Sequence, residues 1–264
     1  MALITIASAK GSPGVTTAAL ALGGLWPRPV IVAECDPAGG DIALRMPAAD
    51  GQVLDLQTGL LSLVAAGRKS LQPDLVRQHT QTIVGGLEIL AGVNLPEQNA
   101  ALTHQWALFG PLFAEVEDFD VIADLGRIGA MTPQNNLLGS AQAIAMVVDT
   151  TPSNVVHLRE RLAYIHSHHG GPLGVPVHVL VHASPKRGQA VREIRYALER
   201  SENKSAGVHH VAHDERGANV FQGQIKGDPA RTPFVRSLVP VAAELAQATQ
   251  SYFRTSTAAE VRVS

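Results

Sequence analysis

Six short runs in this 264-residue chain are apolar almost without interruption: Leu3–Ala7 (LITIA), Val30–Glu34 (VIVAE), Leu87–Ala91 (LEILA), Val121–Leu125 (VIADL), Ile144–Asp149 (IAMVVD) and Val177–Val181 (VHVLV). A strand with one wet face alternates apolar and polar residues; a strand covered on both faces does not. Segments of helical character separate the runs, at Thr16–Leu25, Leu54–Ala66, Thr103–Glu117, Asn154–His168 and Gly188–Arg200. Strands alternating with helices imply crossover connections, hence an α/β fold with a mostly parallel sheet and helices on both faces. A last helix is expected from Pro240, a favoured first-turn residue, to Phe253. The remaining 254–264 (RTSTAAEVRVS) is small and polar and reads as a flexible tail, leaving 1–253 as one domain.

Composition supports a large buried core, with 45% hydrophobic and 17% charged residues. The single Cys35 excludes an intramolecular disulfide framework and any CxxC site. No apolar run is long enough to cross a bilayer and no charged segment precedes the first apolar one, so a cytoplasmic protein without direct membrane insertion is expected. The net charge of −2 is unevenly spread: residues 1–150 hold 7 basic and 14 acidic groups, residues 151–264 hold 14 and 9. Much of the basic excess lies in Lys186, Arg187, Arg192, Arg195, Arg200 and Lys204. Only Tyr196 interleaves them, so a solvated helix face is the ordinary reading and a polyanion-binding face the alternative.

The strongest chemical signal follows the first strand and opens a helix: Ala9-Lys10-Gly11-Ser12-Pro13-Gly14-Val15-Thr16-Thr17. A tight loop of small residues there lets backbone N–H groups converge on a phosphate, and the helix N-terminus adds its positive end. The usual pattern is GxxxxGK[ST]; here Ala9 replaces the first glycine and Val15 the lysine.

The stretch resembles the deviant Walker A motif of the MinD/ParA family of ATPases, KGGxGKTT. Lys10 matches that family's signature lysine, Gly11 and Gly14 its glycines, and Thr16 and Thr17 its hydroxyls, while Ser12 departs from the second glycine. Val30–Asp41 (VIVAECDPAGGD) looks like the family's second strand and DxDP motif, with Glu34 for the first Asp and Asp36 for the second. Phe119–Gly126 (FDVIADLG) is similar to its Walker B strand, ending in Asp124. The resemblance spans residues 1–250 and implies a P-loop NTPase-like fold binding ATP and Mg²⁺. By position, Lys10 would reach the partner's phosphates across a homodimer, and the loop Gly11, Ser12, Pro13, Gly14, Val15 would cradle the nucleotide. Thr16, Asp36 and Asp124 would hold Mg²⁺, Thr17 would touch the α-phosphate, and Glu34 and Asp36 would flank the attacking water. His182 stands where the family has a base-reading Asn.

Without the lysine at position 15, a cation is missing from the transferring phosphate, and hydrolysis is expected to be impaired. Cys35, between two carboxylates, reads as a buried inert thiol. The histidines cluster at 166–169, at His178 and His182, and at 209–213. Imidazoles with a carboxylate such as Asp214 suit zinc, yet none has HExxH spacing, and a helix C-terminus accounts for His168-His169. His178 and His182 share strand parity and should face one side.

The expected function is nucleotide-dependent dimerisation that positions a partner protein. The alternatives are a nucleotide-independent scaffold resembling the TadZ/CpaE group, which localises pilus or secretion machinery, and a DNA partition protein. The negative net charge weighs against the last.

Overall fold

The computed structural model describes residues 1–11, 13–169, 174–202, 205–223 and 228–263. Its strands are β1 (Leu3–Ser8), β2 (Val30–Glu34), β3 (Gln81–Thr82), β4 (Glu88–Leu90), β5 (Asp120–Arg127), β6 (Ala143–Asp149), β7 (Val177–Ala183) and β8 (Gly207–Ala212). They form one sheet in the order β3-β4-β2-β5-β1-β6-β7-β8. All neighbours are parallel except β3 and β4. The order runs outward in both directions from β1, so the crevice where α/β sheets bind ligands opens at the C-terminal ends of β1, β2, β5 and β6.

Helices cover both faces, as the continuous apolar strands require. On one face lie α1 (Val15–Leu25) and α10 (Pro233–Val263), against Ile4, Ile6, Val32, Ile122 and Ala145. On the other lie α3 (Leu60–Ala66), α4 (Pro73–Gln78), α6 (Trp106–Ala114), α7 (Pro152–His169) and α8 (Gly188–Glu199), against Leu3, Ile31, Val121, Met146 and Val179. Trp106, Phe109 and Phe113 fill this second layer, with ring centroids 5.2 and 5.4 Å apart along α6. Short helices α2 (Ile42–Arg45), α5 (Pro96–Ala101) and α9 (Glu215–Val220) sit in connections. Small residues let α1 lie close on the sheet: a Cβ at Gly23 would come within 2.6 Å of Val32.

The structure departs from the sequence reading most clearly at α3, β8 and the last helix. α3 starts at Leu60 rather than Leu54, because Asp55 turns the chain by accepting from the Gln57 N–H and the Thr58 hydroxyl. β8 went unrecognised in GVHHVA, an edge strand whose histidines dilute its apolar pattern. The last helix starts at Pro233, and Pro240 lies inside it on the exposed side, where the freed carbonyl of Arg236 can meet water. That helix also continues to Val263 instead of giving way to a tail at 254; no glycine or proline follows Pro240 to stop it.

A buried ion pair ties α10 to the rest. Asp120, 4% exposed, accepts from Trp26 Nε1 at 2.8 Å and Arg28 Nε at 2.6 Å. Arg28 also donates to the Ala246 carbonyl and the Thr249 hydroxyl on α10. Among the described residues no helix is long and apolar enough to cross a membrane.

Candidate functional site

β1 leads into the loop and the loop into α1. Gly11 (φ +76°) and Gly14 (φ +85°) take left-handed conformations that a side chain would strain. Ala18 makes the first intrahelical bond, to the Gly14 carbonyl, and no side chain caps the helix. The N–H groups of Val15, Thr16 and Thr17 therefore lack intrahelical partners, at the positive end of an 11-residue helix. Ser12 lies outside the described residues.

Val15 is 6% exposed and belongs to the hydrophobic layer beneath α1, and Thr17 is 7% exposed. Thr16 is half-buried, and its hydroxyl stabilises the Asp124 carboxylate. Asp124, fully buried at the end of β5, accepts from the Gly126 N–H at 2.9 Å through Oδ1. Its Oδ2 is buried without a hydrogen-bond partner. Burial pushes this carboxyl up to about 7 against the opposing Thr16 and Gly126 hydrogen bonds, and the charges of Glu34 and Asp36 raise it further.

Asp36 lies over the same strand end. Its Oδ1 accepts from the Ala38 N–H at 2.7 Å, and a Cβ on Gly126 (φ +56°) would collide with its Oδ2. Glycine at 126 leaves the space that the Asp36 carboxylate occupies over the end of β5, and burial raises the Asp36 pKa. An unpartnered buried carboxylate oxygen, an adjacent threonine hydroxyl and a second carboxylate suit a hard, hydrated cation such as Mg²⁺. The residues present fit the group that the resemblance implies.

Glu34 does something else. Oε1 accepts from the Asp41 N–H at 2.8 Å and the Ile42 N–H at 3.0 Å, and Oε2 from the Gly92 N–H at 3.0 Å. The side chain, 3% exposed, thus ties the loop after β2 to the loop after β4. Gly40 makes room, since a Cβ there would overlap Glu34 Oε2.

Lys10 is exposed and donates from Nζ to His157 Nε2 on α7 at 3.1 Å; His157 Nδ1 in turn faces Glu160 at 3.2 Å. One turn earlier, Asn154 packs 3.4 Å from where a Gly11 Cβ would stand and donates to Asp149 at the end of β6. Nothing in the sequence pointed to Asn154 and His157; Gly126 stood in the FDVIADLG run without a role.

His182, at the end of β7, lies beside the backbone of Pro13 and Ala212. Its ring is 5.2 Å from His213 and 6.1 Å from Phe234, and its Nε2 is buried unpartnered. Desolvation, then His213, lowers its pKa. As expected, it shares a face with His178, toward α10. Cys35 is fully buried, and burial with three neighbouring carboxylates pushes its thiol far up. Asp214 joins no histidine cluster; it accepts from the Phe234 N–H at 3.3 Å. On α8, Arg192 and Arg195 are exposed, Arg195 donating to the Val208 carbonyl; Arg200, just past the helix end, is exposed and rests on Tyr196. Lys204 lies outside the described residues.

A parallel sheet reversing at β1, with a glycine loop between that strand and α1, is the architecture of P-loop NTPase-like α/β folds. Solved structures carry the description further. A ParA family ATPase from Chlorobium tepidum TLS superposes with a TM-score of 0.70, at 16% identity over 92% of this chain and 97% of that one. MinD in the MinC:MinD cell division protein complex of Aquifex aeolicus gives 0.66, at 17% identity over 93% and 96%. A plasmid partition protein from Borrelia burgdorferi B31 bound to AMPPNP gives 0.65, at 11% identity over 97% and 99%. The chain has the MinD/ParA-type fold. No protein-family profile and no curated protein sequence matches it.

Proposed function

We propose that the protein binds ATP with Mg²⁺ at the β1–α1 loop, dimerises around the nucleotide, and so positions a partner protein. The observation that carries this reading is the buried, unpartnered Oδ2 of Asp124 beside Thr16, under the start of α1, whose first N–H groups have no intrahelical partner. A relic fold would be expected to lose such a costly group first. Thr16, Asp36 and Asp124 are the residues that would hold the ion, whose chemistry is to neutralise phosphate charge. The Gly11–Thr17 backbone and the Thr17 hydroxyl would hold the phosphates, and His182 would border the nucleotide rather than read its base edge. Glu34 positions the surrounding loops, and Asp36 is the carboxylate left to orient a water.

Val15 carries no charge to the phosphates, which supports binding and switching with slow turnover, a step short of an efficient ATPase. Lys10 must leave His157 to reach a second copy, so dimerisation would alter the α7 surface at the same time. The single domain, the homodimer and the cytoplasmic location belong to this proposal.

Calorimetry of ATP–Mg²⁺ binding, with light scattering, tests it on the wild type and Lys10→Ala. The reading requires binding by both proteins and nucleotide-linked dimerisation in the wild type alone. No binding by the wild type at millimolar ATP would overturn it in favour of a nucleotide-independent scaffold. Specific observations favouring pilus localisation or DNA partition are absent among the described residues; the α8 cations are solvated and one pairs with backbone.

A further inference from the structure

Two imidazoles that the sequence places in separate clusters meet far from the phosphate loop. His178 on β7 and His209 on β8 bring Nδ1 and Nε2 to 3.0 Å, with ring centroids 5.3 Å apart and planes within 20°. The register makes the meeting possible: Gly207 pairs directly with His178. A Cβ at 207 would stand 2.8 Å from His209 Nε2 and 3.1 Å from His178 Nδ1, so glycine there leaves the pair the room it uses. Glu244 on α10 stands next to the same ring, its Oε2 3.8 Å from His209 Nδ1, the nitrogen not facing His178, so it reaches a shared ion only by swinging toward Nε2. Among the described residues, these are the one set of three metal-capable side chains whose ligand atoms lie within 4.8 Å of one another.

We propose that His178, His209 and Glu244 form a binding site for a divalent first-row transition metal, Zn²⁺ foremost. Two imidazoles and one carboxylate suit Zn²⁺ and exclude Mg²⁺ and Ca²⁺, which take oxygen ligands. Two nitrogens on a tetrahedral Zn²⁺ stand about 3.3 Å apart, given bonds of about 2.0–2.1 Å. The present spacing therefore has to open by about 0.3 Å, with a tilt of the more exposed His209 ring. Glu244, 53% exposed on its side chain, is free to swing inward. A cavity of about 400 Å³ bordered by Pro176, His178, Glu244 and Tyr252 leaves room for water as a fourth ligand.

Two further observations agree. His178 is 5% exposed and its Nε2 has no partner, a cost that an apolar residue facing α10 would avoid. Both rings are shielded from solvent, His209 exposing only 11% of its side chain, so neither is an ordinary surface imidazole. The bound metal would clamp edge strand β8 to α10, where the sheet otherwise ends.

The test titrates ZnCl₂ into the chelator-stripped full chain by calorimetry, in parallel with the visible spectrum of the Co²⁺-loaded protein. The expected result is one equivalent bound and a tetrahedral Co²⁺ spectrum. Glu244→Gln should weaken binding by about tenfold or more, and His209→Ala should abolish the site. Zn²⁺ should raise the melting temperature of the wild type and leave that of His209→Ala unchanged. His168→Ala, in the other cluster, should bind like the wild type. Glu244→Gln keeps the question decidable if His209→Ala unfolds, because residue 244 is half in solvent. Equal affinity in wild type and Glu244→Gln, an octahedral Co²⁺ spectrum, or no Zn²⁺ uptake by the wild type would each overturn the proposal. None of these readouts involves nucleotide.

Discussion

Glu34 is one carbon longer than the aspartate expected at its position, and that reach lets it gather three backbone N–H groups from two loops. Burial raises its pKa, and the same three bonds oppose the rise. Glu34→Gln would replace one accepting oxygen by a donor facing a donor. We expect a loss of about 1–3 kcal/mol in urea unfolding, with nucleotide affinity falling only as the loops loosen. His182 gives a different signature. Its folded pKa lies below the ordinary 6.5, so the unfolded chain takes up the proton more readily. Its contribution to stability is complete above that value and shrinks as pH falls through it. Urea midpoints measured from about pH 7 to about pH 5 should therefore decline, and His182→Gln should make the decline shallower. Neither behaviour could be read from the sequence, because a residue's type is local but its partners are not: Gly92 is 58 positions from Glu34, and His157 is 147 from Lys10.

The elements were more legible than the contacts between them. The six central strands announced themselves because burial on two faces leaves no polar position free. β3 has two residues and β8 carries paired histidines at an edge, so neither had an apolar run to show. Proline misled the reading of α10, where Pro240 marks a solvent-side break in bonding rather than a start. Pro240→Ala should then restore one hydrogen bond and raise stability by about 1–3 kcal/mol, seen as a higher melting temperature. The α10 anchor predicts the opposite sign. Asp120→Ala leaves the Trp26 N–H and the Arg28 guanidinium without their shared acceptor. A cost of about 2–4 kcal/mol in chemical denaturation is expected, the upper part reflecting an unpaired buried charge.

At the scale of the whole molecule, the sheet order explains why residues from separate motifs converge. The β1–α1 loop, Asp36 and Asp124 stood out in the sequence because each follows or closes a strand, and parallel strands bring their C-terminal ends to one edge. On the proposed reading, what that edge does depends on a second copy. If Lys10 acts across a dimer, mass by light scattering should double with ATP and Mg²⁺ and stay monomeric in Lys10→Ala. Val15→Lys should raise steady-state phosphate release by about 10²-fold or more, and combining it with Lys10→Ala should cancel most of the gain.

Val15 also bears on the stability of the chain. A side chain sunk into the layer under α1 contributes on the order of 1.5–3 kcal/mol to folding. A change to lysine at 15 would surrender part of that packing as it brought charge to the loop. For a protein of ordinary marginal stability, such a loss is a large share of the whole. The buried valine therefore fixes position 15 by packing, whatever the loop above it binds.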